Sequence, residues 1–103
     1  MFQHGPPPSV AARDVPDGAF IIDVREPDEW ADGHVEGSLH MPMQTVPERL
    51  AELPRDRQIV VLCAVGARSA HVTAWLVGEG FDAVNVDGGI HAWANAARPL
   101  ETC

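Results

Sequence analysis

The 103-residue sequence contains no lysine. Its positive charge rests on seven arginines against fifteen acidic residues, for a formal net charge of −8. Nucleic acids and anionic membranes are held by Lys and Arg, so this balance argues against both as partners. It also repels small anions at long range, so any anion site must be local, built from loop amides and a nearby arginine. Cysteine is scarce, at two residues, and a disulfide framework is therefore not the staple of the fold. No apolar run approaches the roughly 18 to 20 residues that span a bilayer. Met1 to Pro8 has neither a basic nor an apolar stretch and does not read as a secretory signal. The expected setting is the cytoplasm, where thiols stay reduced. The apolar share, 46%, is too high for disorder, and the length suits one modest core.

Read in order, the chain divides into a Pro-rich lead-in (1–8), one domain (9–100) and a short tail (101–103). Ser9 to Ala12 reads as a short strand and Arg13 to Gly18 as a turn. Ala19 to Val24 is a continuous apolar run broken only by Asp23, the pattern of a strand buried on both faces. Pro27 opens a short helix with Asp28 and Glu29 in its first turn, and Gly33 closes it. Leu39 to Met41 is a short strand stopped by Pro42. Gln44 to Leu53 is expected to be helical, with Leu50 and Leu53 toward the core. Gln58 to Leu62 is the central strand. A helix over 69–79 follows, with Ser69 as its N-cap and Val72, Trp75, Leu76 and Val77 at helical spacing. Ala83 to Val86 is the last strand, and Ile90 to Ala97 the last helix. Strands alternating with helices predict an α/β domain, a mostly parallel sheet with helices on both faces. Sites in such sheets form at the carboxyl ends of strands.

One stretch sits at such an end and carries chemistry, Cys63-Ala64-Val65-Gly66-Ala67-Arg68-Ser69. A cysteine on a small-residue loop that opens a helix faces backbone amides and the positive end of the helix dipole. Both favour the thiolate, which is the nucleophile. Gly66 removes a Cβ from the bowl and permits positive φ, and Arg68 adds a full positive charge.

Two further blocks flank this loop in sequence: Ile22-Asp23-Val24-Arg25-Glu26-Pro27-Asp28-Glu29-Trp30 with Gly33-His34-Val35-Glu36-Gly37-Ser38, and Asp87-Gly88-Gly89-Ile90-His91-Ala92-Trp93. Together the three resemble the single-domain rhodanese-like sulfurtransferases over roughly residues 9 to 100. The resemblance implies a five-stranded parallel sheet flanked by helices. It implies a ping-pong reaction in which Cys63 takes a sulfane sulfur from thiosulfate or a persulfide and passes it to cyanide or a thiol. A thioredoxin-like reductant is among the expected acceptors. Ala64, Val65, Gly66, Ala67, Arg68 and Ser69 would form the substrate cradle, with Arg68 attracting the donor anion. No metal or organic cofactor is implied, and a monomer is expected. Thiosulfate-specialised members often carry a second cation just after the cysteine. Here those positions are Ala64 and Val65, which leaves Arg68 as the only loop cation and favours a neutral or protein-borne persulfide donor.

Competing readings are a sulfur carrier or interaction module without turnover, and a phosphatase or arsenate reductase. The latter uses five residues between Cys and Arg, whereas this loop has four, and Leu62 stands where that motif usually has His. Arg25, Trp30 and His71 are candidate pocket-rim residues, although Asp23 and Arg25 read first as ties at the strand end. His34, His40, His71 and His91 have no metal-ligand spacing, and His34 is expected to bond backbone. Glu26, Asp28, Glu29 and Asp32 read as a solvated acidic face. Cys103 reads as a tail thiol, with a resolving role as the sharper alternative.

Overall fold

The computed structural model describes residues 7–102; the lead-in before Pro7, and Cys103, lie outside the described residues. Five strands form one parallel sheet: β1 (Ser9–Ala11), β2 (Phe20–Asp23), β3 (Leu39–His40), β4 (Ile59–Leu62) and β5 (Ala83–Asp87), in the spatial order β1-β5-β4-β2-β3. Three α-helices connect or follow them: α1 (Pro27–Asp32), α2 (Ala67–Gly78) and α3 (Gly89–Asn95).

β4 is buried on both faces because each residue alternates between two cores. Ile59, Val61 and Cys63 point to the face that packs Val72 and Leu76 of α2 with Val46 and Leu53. Val60 and Leu62 point to the other, where Trp93 of α3 packs with Ala12, Val15 and Val35. This alternation aims the Cys63 side chain at the α2 face.

The chain leaves β2 toward β3 on one side and leaves β4 toward β5 on the other. Adjacent strands whose connections run in opposite directions open a crevice at their carboxyl ends. Here that crevice lies between the ends of β2 and β4, where Val24 N–H donates to Leu62 O at 2.9 Å. Cys63 is the next residue.

Several expectations need correction. The segment 43–52 is 3-10 rather than α-helical, with a break at Arg49 (φ −115°, ψ 19°). Pro47 inside it has no N–H to give an α-helical ladder. Leu53 is buried as expected, and Leu50 packs against the same core. In α2 Trp75 and Val77 face outward, at 38% and 43% exposure, because Val72, Thr73 and Leu76 fill the inner stripe. Glu101 does not belong to a loose tail. It pairs antiparallel with His34, each amide donating to the other's carbonyl at 2.8 Å.

Asp23 and Arg25 tie the end of β2, as the first of their two readings holds. Asp23 is fully buried and Arg25 nearly so. Arg25 donates to the Asp23 carboxylate through Nε (2.9 and 3.1 Å) and Nη2 (2.8 Å), and to Gly33 O at 2.6 Å. Arg25 is thus not at a pocket rim. Removing one partner of a buried pair strands the other's charge, which costs about 3–5 kcal/mol. Arg25→Ala is expected to lose that much in denaturant unfolding; a loss below about 1 kcal/mol would show the Asp23 charge to be solvated by other means.

Candidate active site

Residues 63–66 leave β4 and turn into α2. Gly66 takes a left-handed conformation (φ 106°) and is the N-cap of the helix. Ser69 is therefore not the cap. It lies one turn further in, fully buried, with its side chain turned back to Cys63.

The Cys63 sulfur lies at the floor of this loop, with the residue 1% exposed. Three donors converge on it: Gly66 N–H at 3.1 Å, Ser69 N–H at 3.3 Å and the Ser69 hydroxyl at 3.3 Å. Burial pushes the thiol up. The Ser69 hydroxyl and the amides of Ser69, Gly66 and Val65 pull it down and prevail, so the thiol ionises below its ordinary value. Ala67 and Arg68 form the first turn of α2, whose amides have no carbonyl of their own helix to bond.

The third sequence block sets the curvature of this loop. Ile90 N–H donates to Cys63 O at 2.8 Å and His91 N–H to Ala64 O at 3.2 Å. Both carbonyls are drawn toward α3, away from the sulfur. The approach requires glycine at 89, where an added Cβ would lie 2.2 Å from Cys63 O, and where φ is +57°. On the neighbouring strand, Asn85 Oδ1 also accepts from the Ser69 hydroxyl at close range, so the single hydroxyl proton is shared between that oxygen and the Cys63 sulfur. Nothing in the spacing of the sequence singled out Asn85; parallel pairing with Val61 on β4 places it beside the loop.

Arg68 leaves the loop toward α1. Its guanidinium binds Glu29 in fork geometry, Nη1–Oε1 at 2.7 Å and Nη2–Oε2 at 2.8 Å. Glu29 is thus a partner of the loop rather than part of a solvated acidic face. The hydrogen bond from Arg68 is the main reason its carboxyl is held down at about 2, and Glu29 in turn raises Arg68. Glu29 also accepts Glu26 N–H at 2.9 Å, closing a capping box at the start of α1. A carboxyl with a depressed pKa stabilises the fold above the ordinary carboxylate range, and that contribution fades as pH falls toward about 2.

Trp30 is half-buried and stacks with His34 (3.6 Å between ring centroids, 4° between planes) and with His40 (4.7 Å, 13°). His34 Nδ1 bonds Trp30 O at 2.9 Å, the backbone contact expected of it. His71 is exposed on α2 and lines an apolar groove with Met43, Val46, Pro47, Val72 and Trp75. Among the described residues no group of three or more His, Cys, Asp or Glu side chains could hold a metal ion.

A parallel α/β sheet with an ionisable cysteine on a tight amide loop at its switch point defines a class, and the sequence comparison agrees with it. Residues 8–96 match the Rhodanese-like domain, and the chain belongs to that family. It is 40% identical over 82 residues to a protein of Allochromatium vinosum named sulfurtransferase, covering 79% of this chain and 77% of that one. It is 34% identical over 102 residues to the thiosulfate sulfurtransferase GlpE of Pseudomonas putida, covering 98% and 92%. The crystal structure of a rhodanese-related protein from Thermoplasma volcanium superposes with a TM-score of 0.86 at 33% identity, over 91% of this chain and 97% of that one.

Two outcomes follow from the loop geometry. Ser69→Ala removes a donor to the thiolate, and a hydrogen bond to a charged group is worth about 1.5–3 kcal/mol. Cys63 alkylation by iodoacetamide at neutral pH should slow about tenfold, with its pH profile displaced to higher pH. An unmoved profile would assign the thiolate to the backbone amides alone. Gly89→Ala should cost about 3 kcal/mol or more in thermal or denaturant unfolding, since it meets backbone at positive φ. Native-like stability would show that the loop can retreat.

Proposed function

We propose that the protein is a sulfurtransferase working through a Cys63 persulfide. The observation that carries this reading is the convergence of two backbone amides and a hydroxyl on one buried, small-residue-framed sulfur. Such a bowl suits a soft anion of one or two sulfur atoms. The Cys63 thiolate attacks the sulfane sulfur of a donor. A bond forms between the two sulfurs, the donor's own bond to that sulfur breaks, and its electron pair leaves with sulfite or a thiolate. An acceptor thiolate or cyanide then attacks the outer sulfur, and Cys63 departs as the thiolate with which the cycle began. The loop amides hold negative charge in both resting and loaded forms, so neither half-reaction needs a rearranged site. The family membership and the sulfurtransferase names of relatives support the same reading.

A phosphatase reading has less support. Four residues separate Cys63 from Arg68, and the Arg68 guanidinium is turned to Glu29 rather than into the loop. A carrier that loads sulfur but turns over only on a partner protein shares every feature of the loop, and turnover separates the two.

The test is intact-mass spectrometry after incubation with thiosulfate or cysteine persulfide, on the wild type and Cys63→Ser. The expected result is a gain of one sulfur atom in the wild type alone, removed by cyanide with release of thiocyanate. Sulfur retained on Cys63→Ser would move the nucleophile elsewhere. A cyanide-resistant adduct, or loading without thiocyanate turnover, would favour the carrier.

A further inference from the structure

The protein has no lysine, and among the described residues six of its seven arginines donate to carboxylates or carbonyls. Arg68 is the cation of the catalytic loop, and the Cys63 thiolate is near enough to act on it through charge. A donor anion entering the bowl would draw on this guanidinium first. Yet both of its terminal nitrogens are engaged by one carboxylate, at 2.7 and 2.8 Å. That carboxylate belongs to α1, which leaves β2, while Arg68 belongs to α2, which leaves β4. The ion pair therefore spans the crevice between the two strand ends at the side of the loop.

We propose that Glu29 is a specificity-determining residue, engaging Arg68 across the crevice so that the Cys63 loop disfavours dianionic donors such as thiosulfate and favours persulfides on net-uncharged or protein-borne groups. This rests on the sulfur-transfer reading of Cys63. The physics has two parts. A dianion must displace the Glu29 carboxylate to reach Arg68, and it meets a fixed negative charge beside its path. A persulfide whose remaining charges cancel needs only the loop amides and meets neither obstacle. The pair is about one-third exposed on both sides, so it is held by modest energy and its release is within reach of a single substitution.

Glu29→Gln is the informative change. A glutamine keeps a side-chain oxygen for the Glu26 amide, so the start of α1 stays capped, but it surrenders the charge that occupies Arg68. Two measurements are made at low ionic strength, where screening is weak. The first is thiosulfate affinity of the non-transferring Cys63→Ser protein, read by calorimetry, with and without Glu29→Gln. The second is kcat/KM for thiosulfate and for cysteine persulfide, whose carboxylate and ammonium cancel, with Cys63 intact. Glu29→Gln is expected to tighten thiosulfate binding at least fivefold and to raise kcat/KM for thiosulfate by a similar factor. The value for cysteine persulfide should stay within twofold. Adding Arg68→Ala should abolish the thiosulfate gain. Unchanged or weaker thiosulfate binding in Glu29→Gln, or a gain that survives Arg68→Ala, would overturn the proposal. So would an equal fall for both donors, which would make the pair a brace between α1 and α2. The binding arm needs no turnover, so absence of sulfur transfer would count against the function of Cys63 without touching the role of Glu29.

Discussion

The site depends on two hydrogen bonds made by the start of α3 to the carbonyls of Cys63 and Ala64. A tight loop has inward and outward faces, and backbone polarity must be allotted between them. With its carbonyls satisfied from outside, the loop can present amides to the sulfur without leaving buried acceptors unpaired. Gly89 makes this geometry accessible because any side chain there would occupy the space of the Cys63 carbonyl. The thiolate, the left-handed Gly66 and the inward Ser69 hydroxyl all follow from that anchoring. A helix remote in sequence from the cysteine loop thereby shapes that loop.

Charge is distributed with equal economy. An acidic chain without lysine has few cations to place, and most of its arginines are used as structural donors. Arg25 neutralises a buried carboxylate at the end of β2. Arg98 reaches Ala12 O and Val15 O at 2.8 and 2.7 Å while lying over the Trp93 ring. Arg68 stands beside the sulfur yet is answered by Glu29. Stabilisation of the sulfur anion falls mainly to neutral dipoles, which act at short range and do not attract anions from a distance.

Much of this was legible in the residues. The apolar runs at 20–24 and 59–62 mark doubly buried strands, and the three blocks mark the strand ends that meet. The orientation of the side chains within those blocks was less so. Ser69 has the composition of a cap and sits where a cap could be, but the left-handed Gly66 begins the helix three residues earlier and carries Ser69 inside. Glu29 looks like one acid among several because its partner lies 39 positions away. Trp75 has the spacing of a core residue, but Thr73 takes the inner position beside Val72 and Leu76. Pro47 was visible in the sequence and decides between α and 3-10 geometry in the segment before β4. These outcomes turn on contacts between distant segments, which local pattern does not encode.

The first strand bears on how the domain is made. Among the described residues β1 pairs only with β5, so Ser9–Ala11 waits for residues 83–87 before it has a partner. Arg98 must then return to Ala12 and Val15, and Glu101 to His34. During synthesis the sheet can assemble from β2, β3 and β4, but the β4 edge stays open until residues 83–87 have emerged to cover it. Closure is thus a late event of long loop length, joining the beginning of the described chain to its end. Until it happens, the glycine pair at 88–89 is not anchored against the loop, and Cys63 lacks its cradle. A nascent or truncated chain would therefore carry an ordinary thiol, and acquisition of a reactive one would report that the last strand and helix had docked.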